Sequence, residues 1–291
     1  MNVGLLDTLG SRYRRFWEPY LNDLGVGVVQ GSMPKSEAYA LGQESLAGEP
    51  PHVQLALGRI LELGQADLIV LPQLEGIEGD PWGEAFVDVL SQRVSSLPNL
   101  LSVPESGQAA AGAAAELGTH LIHNPGVVRR ALDRHRPLLT PAREAAPELS
   151  AASKRSVAVI GPDVLLSEPF LLGELPARLA ASGLHAVYSS EMPRATVLER
   201  GLRSGAGTPG LRALAGAQLA LEGKSAVRGL VFVVPARSRV WRQAAERLAA
   251  GARKPALVLE VAPEMSDFAA LDAFAQRVTL GVAARTTEGE V

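Results

Sequence analysis

The sequence predicts an α/β protein of two similar lobes, each a mainly parallel four-stranded sheet with helices on both faces, facing across a cleft. Three observations predict it: eight short apolar runs, helix-patterned stretches between them, and local motifs of the first half that return in the second. Parallel strands are covered on both faces and so read as continuous apolar runs. Their alternation with helical segments is the signature of a parallel sheet.

In the first half the runs are Val3–Leu6, Val26–Val29, Leu68–Leu71 and Leu100–Val103. In the second they are Val157–Ile160, His185–Tyr188, Leu230–Val234 and Ala256–Val261. Gly31-Ser-Met-Pro-Lys35 follows the second strand of one half, and Ser190-Glu-Met-Pro-Arg194 that of the other. Leu68-Ile-Val-Leu-Pro72 matches Leu230-Val-Phe-Val-Val-Pro235. The helix before each second strand stops on a glycine, Gly25 or Gly183, where a left-handed residue is expected. Each of those helices also carries a proline, Pro19 or Pro176, expected to kink it or to mark its first turn. A duplicated unit is the economical reading.

The boundaries follow: a first lobe over 1–139, a linker or crossover over 140–155, a second lobe over 156–282 and a frayed tail over 283–291. The linker reading rests on Thr140–Ser153, which is poor in large apolar residues and carries two prolines. A helix near Pro125–Leu138 has a basic side (Arg129, Arg130, Arg134, Arg136), read as a solvated face.

Composition narrows the function classes. At 47% hydrophobic and 20% charged residues the chain of 291 residues is globular, with two domains expected. Its net charge of −3 gives no reason to expect nucleic acid or an anionic membrane as a partner. No apolar run reaches the roughly 18–20 residues of a membrane span. The start, with Asp7 early and no basic segment, does not read as a signal peptide, so a cytoplasmic location is expected. Cysteine is absent, which excludes disulfides, thiolate nucleophiles and every cysteine-ligated zinc or iron–sulfur centre. No cofactor and no metal is expected.

In open parallel sheets ligands bind beyond the carboxyl ends of the strands. That geometry nominates Asp7, Ser32, Lys35, Gln73, Glu105 and Asp163, and in the second half Arg194, Arg237, Ser238 and Arg239. Pro235-Ala-Arg-Ser-Arg239 sets two arginines and a serine between a strand and a helix start, where backbone amides favour an anion. Lys35 and Arg194 occupy equivalent places after Met-Pro. Ser167-Glu168-Pro169 reads as a well-capped helix start. His120 and His123 are spaced as helical metal ligands but lack an acidic partner at helical spacing. His52, His135 and His185 are isolated, and His185 in its strand reads as a satisfied core residue. No glycine-rich dinucleotide loop, Walker-type lysine loop or nucleophile elbow is present.

Val3-Gly-Leu-Leu with Phe16-Trp-Glu-Pro-Tyr-Leu-Asn-Asp-Leu-Gly25, and Leu55-Ala-Leu-Gly58 leading into Ala66-Asp-Leu-Ile-Val-Leu-Pro72, resemble the 2-hydroxyacyl-CoA dehydratase superfamily. The likeness is to the domain of unknown function found beside dehydratase activators. Val157-Ala-Val-Ile-Gly161, Glu168-Pro-Phe170 and Ser182-Gly-Leu184 resemble the second α/β domain of that family. The resemblance implies two α/β domains and, in the family, a cysteine-held [4Fe–4S] cluster. The family's Cys-x-Pro-x-Lys segment corresponds to Pro50-Pro-His-Val-Gln54, its second cysteine falls in Pro235-Ala-Arg-Ser238, and its histidine after Gly161 is Pro162. The fold carries over and the iron–sulfur dehydratase activity does not.

The expectation is therefore a non-catalytic relative that binds a small anionic ligand or a protein partner, a homodimer included. A cluster-independent enzyme acting on a small acyl or organic-acid substrate, with acids such as Asp7, Glu105, Asp163 or Glu191, is the alternative. A structural or assembly protein is the third reading.

Overall fold

The computed structural model describes residues 1–10, 12–140, 147–149 and 155–280. The chain divides into two compact units, Met1–Glu144 with Asp163–Phe170, and Ala145–Pro162 with Leu171–Val291. The tail from 283 lies outside the described residues, as does the linker apart from Thr140, Pro147–Leu149 and Arg155, which belongs to the second sheet.

The first unit runs β1 (Asn2–Leu5), α1 (Arg14–Asp23), β2 (Gly27–Val29), α2 (Lys35–Ser45), α3 (Pro51–Glu62), β3 (Leu68–Pro72), α4 (Pro81–Glu84), α5 (Phe86–Arg93), β4 (Asn99–Val103), α6 (Gly107–Ile122) and α7 (Pro125–His135). Its four strands form one all-parallel sheet in the order β2-β1-β3-β4. Side chains alternate across a strand, so successive residues feed opposite cores. Val3, Leu5 and Val70 pack with the aromatic face of α1 (Tyr13, Phe16, Trp17, Tyr20) and with α6 and α7. Leu6, Ile69 and Leu71 pack with Val53, Leu57 and Ile60 of α3 and with Trp82, Phe86 and Leu90. Helices thus cover both faces.

The second sheet comprises β5 (Arg155–Ile160), β6 (Leu184–Tyr188), β7 (Val227–Pro235) and β8 (Ala256–Val261). It is again all parallel, in the equivalent order β6-β5-β7-β8. After β5 come two single turns, α8 (Asp163–Leu166) and α9 (Pro169–Leu172). They are followed by α10 (Leu175–Ala181), α11 (Arg194–Arg203), α12 (Pro209–Glu222), α13 (Arg239–Ala250) and α14 (Ala269–Leu280). The eight strands are the eight predicted apolar runs. Gly25 and Gly183 have the expected positive φ, +73° and +71°. Pro19 lies inside α1 and Pro176 in the first turn of α10.

One packing device recurs in both units. Helices α2 and α3 cross so closely that a Cβ on Gly42 would overlap the Gln54 carbonyl, and one on Gly58 the Ala38 carbonyl. In α11 and α12, Gly201 meets the Arg212 carbonyl and Gly216 the Val197 carbonyl in the same way. Only glycine permits backbones to approach so nearly.

The helix start expected at Ser167-Glu168-Pro169 is there, with Pro169 first and the Phe170 amide donating to Glu168 Oε1 at 3.4 Å, but Ser167 does not cap it. Ser167 Oγ donates back to the Asp163 carbonyl at 2.5 Å, and the helix that follows is the single turn α9. The buried Glu168 carboxylate also binds Lys35 Nζ at 2.7 and 2.8 Å. Phe170 meets Tyr39 edge-on, with ring centroids 5.6 Å apart, and Val164 packs on the α3 core. These contacts make residues 163–170 part of the first unit.

Candidate functional site

In each sheet the strand order reverses at one point, between β1 and β3 in the first and between β5 and β7 in the second. Ligand crevices of open parallel sheets open there. The two edges differ in what their polar groups do.

At the first edge, Asp7 follows β1 and is bound by a buried arginine absent from the nominated set. Arg59 of α3, 4% exposed, places Nε 2.9 Å from Asp7 Oδ1, and its Nη2 donates to Asp7 Oδ2 at 3.1 Å. Its Nη1 donates to Glu62 Oε2 at 2.7 Å and to the Met33 carbonyl at 2.6 Å. Glu62 Oε1 accepts the backbone amides of Ser32 and Met33 at 2.5 and 2.6 Å. Partial burial works to raise the Glu62 pKa. The amide donors and the Arg59 guanidinium outweigh it and hold the group below its usual 4.5. The network clamps the loop after β2 and brings Asp7 and Ser32 together.

The other nominated groups of this unit are also placed. Lys35 is neutralised by Glu168. Gln73 is exposed, and its amide continues the sheet to the Val103 carbonyl at 2.7 Å. Glu105 is half-buried, with Oε1 3.3 Å from where a Cβ on Gly10 would stand. Asp163 opens α8. Beside Asp7 the Thr8 hydroxyl is buried with no hydrogen-bond partner among the described residues. Tyr13 braces the loop, donating to Leu6 O at 2.6 Å and reaching Val70 O at 3.2 Å.

At the second edge the polar groups are held differently. The loop after β6 is held by its own Glu191, whose Oε2 accepts the Tyr188 amide at 3.3 Å. Arg194 opens α11 and is half-buried. Arg237, Ser238 and Arg239 form the turn from β7 into α13. Arg237 takes a left-handed backbone conformation, φ +66°, that a non-glycine residue adopts only at a cost. Its Nη2 donates to Glu264 Oε1 at 3.1 Å, and both side chains are solvent-exposed. Ser238 is buried at the N-cap without a side-chain capping bond, and Arg239 is exposed at the first helical position. The first turn of α13 has no acidic residue. Positive charge at a helix N-terminus opposes the helix dipole. The turn therefore sets the Arg237 and Arg239 guanidiniums at a helix start, with Glu264 beside Arg237.

No family model matches the chain, and no curated protein matches its sequence.

The histidines offer little to a metal. His120 is exposed on α6, and His123 leaves that helix in a left-handed residue, φ +49°. Among the described residues no group of three or more His, Asp or Glu side chains converges as a metal site would require. His185 is half-buried rather than a core residue, with Nε2 2.9 Å from the Glu148 carbonyl, and His135 Nε2 lies 3.0 Å from Asp23. His52 is the buried one: burial pushes its pKa from 6.5 down to about 4.

The sequence signal for Arg59 was a lone guanidinium within Val53-Gln-Leu-Ala-Leu-Gly-Arg-Ile-Leu61. A charge in so apolar a helix requires a buried partner. Its partner Asp7 is 52 residues away.

Proposed function

We propose that this chain is a non-catalytic binding protein that takes a small anionic ligand at the β7–α13 turn. The observation that carries the reading is the basic start of α13, with Arg239 exposed at its first position. Arg237 and Arg239 stand at the amide-rich start of a 12-residue helix with no acid in its first turn. A phosphate or carboxylate there would accept charge-assisted bonds from the guanidiniums and complement the dipole. Of the other nominated cations, Lys35 is matched by the buried Glu168 carboxylate and Arg194 is half-buried at the start of α11. Solvent-exposed ion pairs contribute ~0.2–1 kcal/mol each, so a bare anion would bind weakly, with a Kd above ~1 mM. A larger organic phosphate or acyl-CoA would add to that.

The enzyme reading has less support. Asp7 is held by Arg59 and Glu191 by the Tyr188 amide, so these two carboxylates already serve the fold. The kinship with 2-hydroxyacyl-CoA dehydratase-type proteins remains part of the proposal. It is supported by the way the matching residues fall on β1–α1, on α3–β3 and on β5. An origin by duplication is supported by the recurring strand order and glycine crossings.

The test is a thermal-shift series with inorganic phosphate, acetate and coenzyme A. A rise in melting temperature that is lost in Arg239→Ala supports the reading. No shift with any of the three, or a shift indifferent to Arg239→Ala, overturns it.

A further inference from the structure

We propose that the α6–α7 face of the first unit is a self-association surface that takes a second copy of this chain. Two adjoining shallow depressions lie along these helices and share Ala115 and Thr119. Val128 and Leu132 of α7 help to line the smaller one.

Three features distinguish this face from an ordinary solvated one. A surface helix usually carries charge along its outer side. In the 16 residues of α6, Gly107-Gln-Ala-Ala-Ala-Gly-Ala-Ala-Ala-Glu-Leu-Gly-Thr-His-Leu-Ile122, Glu116 is the lone charged residue. Depletion of charge is what marks the centre of an interface. The second feature is the Glu116 carboxylate itself, exposed on one wall with no ion pair among the described residues. The third is the opposite wall. Arg129, 86% exposed, and Arg136 share the single carboxylate of Asp133, at 3.8 and 3.1 Å. One wall has an unmatched negative charge and the other a surplus positive one.

A surface with that arrangement is complementary to itself. Under a two-fold axis the α6 ridge of each copy lies in the groove of the other, and each Glu116 meets the partner's arginine wall. Such an interface is isologous and closed. Small side chains at Gly112, Ala115 and Thr119 let the two helices approach closely. This surface is independent of the anion reading, because it uses none of the residues of the β7–α13 turn.

Sedimentation velocity of the full chain from about 1 to about 200 µM tests it. The expected result is a concentration-dependent dimer. Glu116→Arg should weaken it at least about tenfold, and the charge-reversed triple variant Glu116→Arg, Arg129→Glu, Arg136→Glu should restore it. Ala115→Trp, which fills the groove, should abolish it, with circular dichroism unchanged in Glu116→Arg as the control for folding. A chain that stays monomeric at the highest concentration overturns the proposal. So does a dimer indifferent to both Glu116→Arg and Ala115→Trp, or a triple variant that fails to recover.

Discussion

Replacing Arg59 with methionine tests how much of the first unit depends on one buried guanidinium. The substitution keeps an unbranched side chain of comparable reach and removes the charge and all donors. Glu62, with 12% of its side chain exposed, keeps its two backbone amide donors. Asp7, with 23% exposed, can recruit water. The Met33 carbonyl loses its guanidinium donor. Removing one partner of a buried ion pair costs ~3–5 kcal/mol where the survivor is left unsolvated. The remaining amides and the partial exposure place this variant at the lower end, about 3 kcal/mol. For a unit of this size each kcal/mol lowers the midpoint by ~2–4 °C, so a fall of about 6–12 °C is expected. Trp17 and Trp82 lie in the first unit and Trp241 in the second, so tryptophan fluorescence in a Trp241→Phe background reports the unfolding of the first unit. Arg59→Lys should fall between the two, because an ammonium cannot reproduce the fork that reaches Asp7 and Glu62 together. A midpoint for Arg59→Met within about 1 °C of wild type would refute the view that this network holds the edge of the sheet.

Other expectations follow from single contacts. Gly58→Ala forces a methyl group onto the Ala38 carbonyl, and urea unfolding should show a loss of about 3 kcal/mol or more, unlike Gly112→Ala, which meets nothing. Thr8→Val removes a buried hydroxyl that lacks a partner among the described residues and should stabilise by about 1 kcal/mol. Loss of stability there would mean the hydroxyl is hydrogen-bonded in solution. His52, whose folded pKa is depressed to about 4 from 6.5, stays neutral while the unfolded chain takes up a proton. Melting temperature should therefore fall between pH 6.5 and 4, and His52→Leu should flatten that part of the profile. Glu62 has a folded pKa held below 4.5, so its contribution is present above that value and is lost as pH falls through the lowered one. Glu62→Gln should make the acid limb below pH 4.5 less steep, and an unchanged limb would remove the carboxylate from the account.

What was legible in the sequence was the part that periodicity encodes. Ala256–Val261 is a strand from its first apolar residue to its last. β7 begins three residues before its apolar run, at Val227, where Arg228 and Gly229 break the apolar pattern and the register to β5 shifts by one residue, Ser156 pairing with Val227 and Val157 with Gly229. The site was legible only as far as topology goes. Pro235-Ala-Arg-Ser-Arg239 could be placed at a strand end from its position alone, and that is where the structure sets it. Pairings over long sequence separations were not legible. Nothing local shows that Lys35 binds Glu168, 133 residues later, so Glu168 read as a complement to a helix dipole. The apolar wrap of α3 likewise gave no hint of which carboxylates would meet Arg59.

The central claim is that the positively charged start of α13 is built for an anion. A phosphate titration followed through the backbone amide resonances of the intact chain tests it most directly. Saturable shifts concentrated at Ser238 to Arg242, and absent in Arg237→Ala with Arg239→Ala, are the predicted result. Resonances that stay still, or that move chiefly elsewhere in the chain, would contradict it.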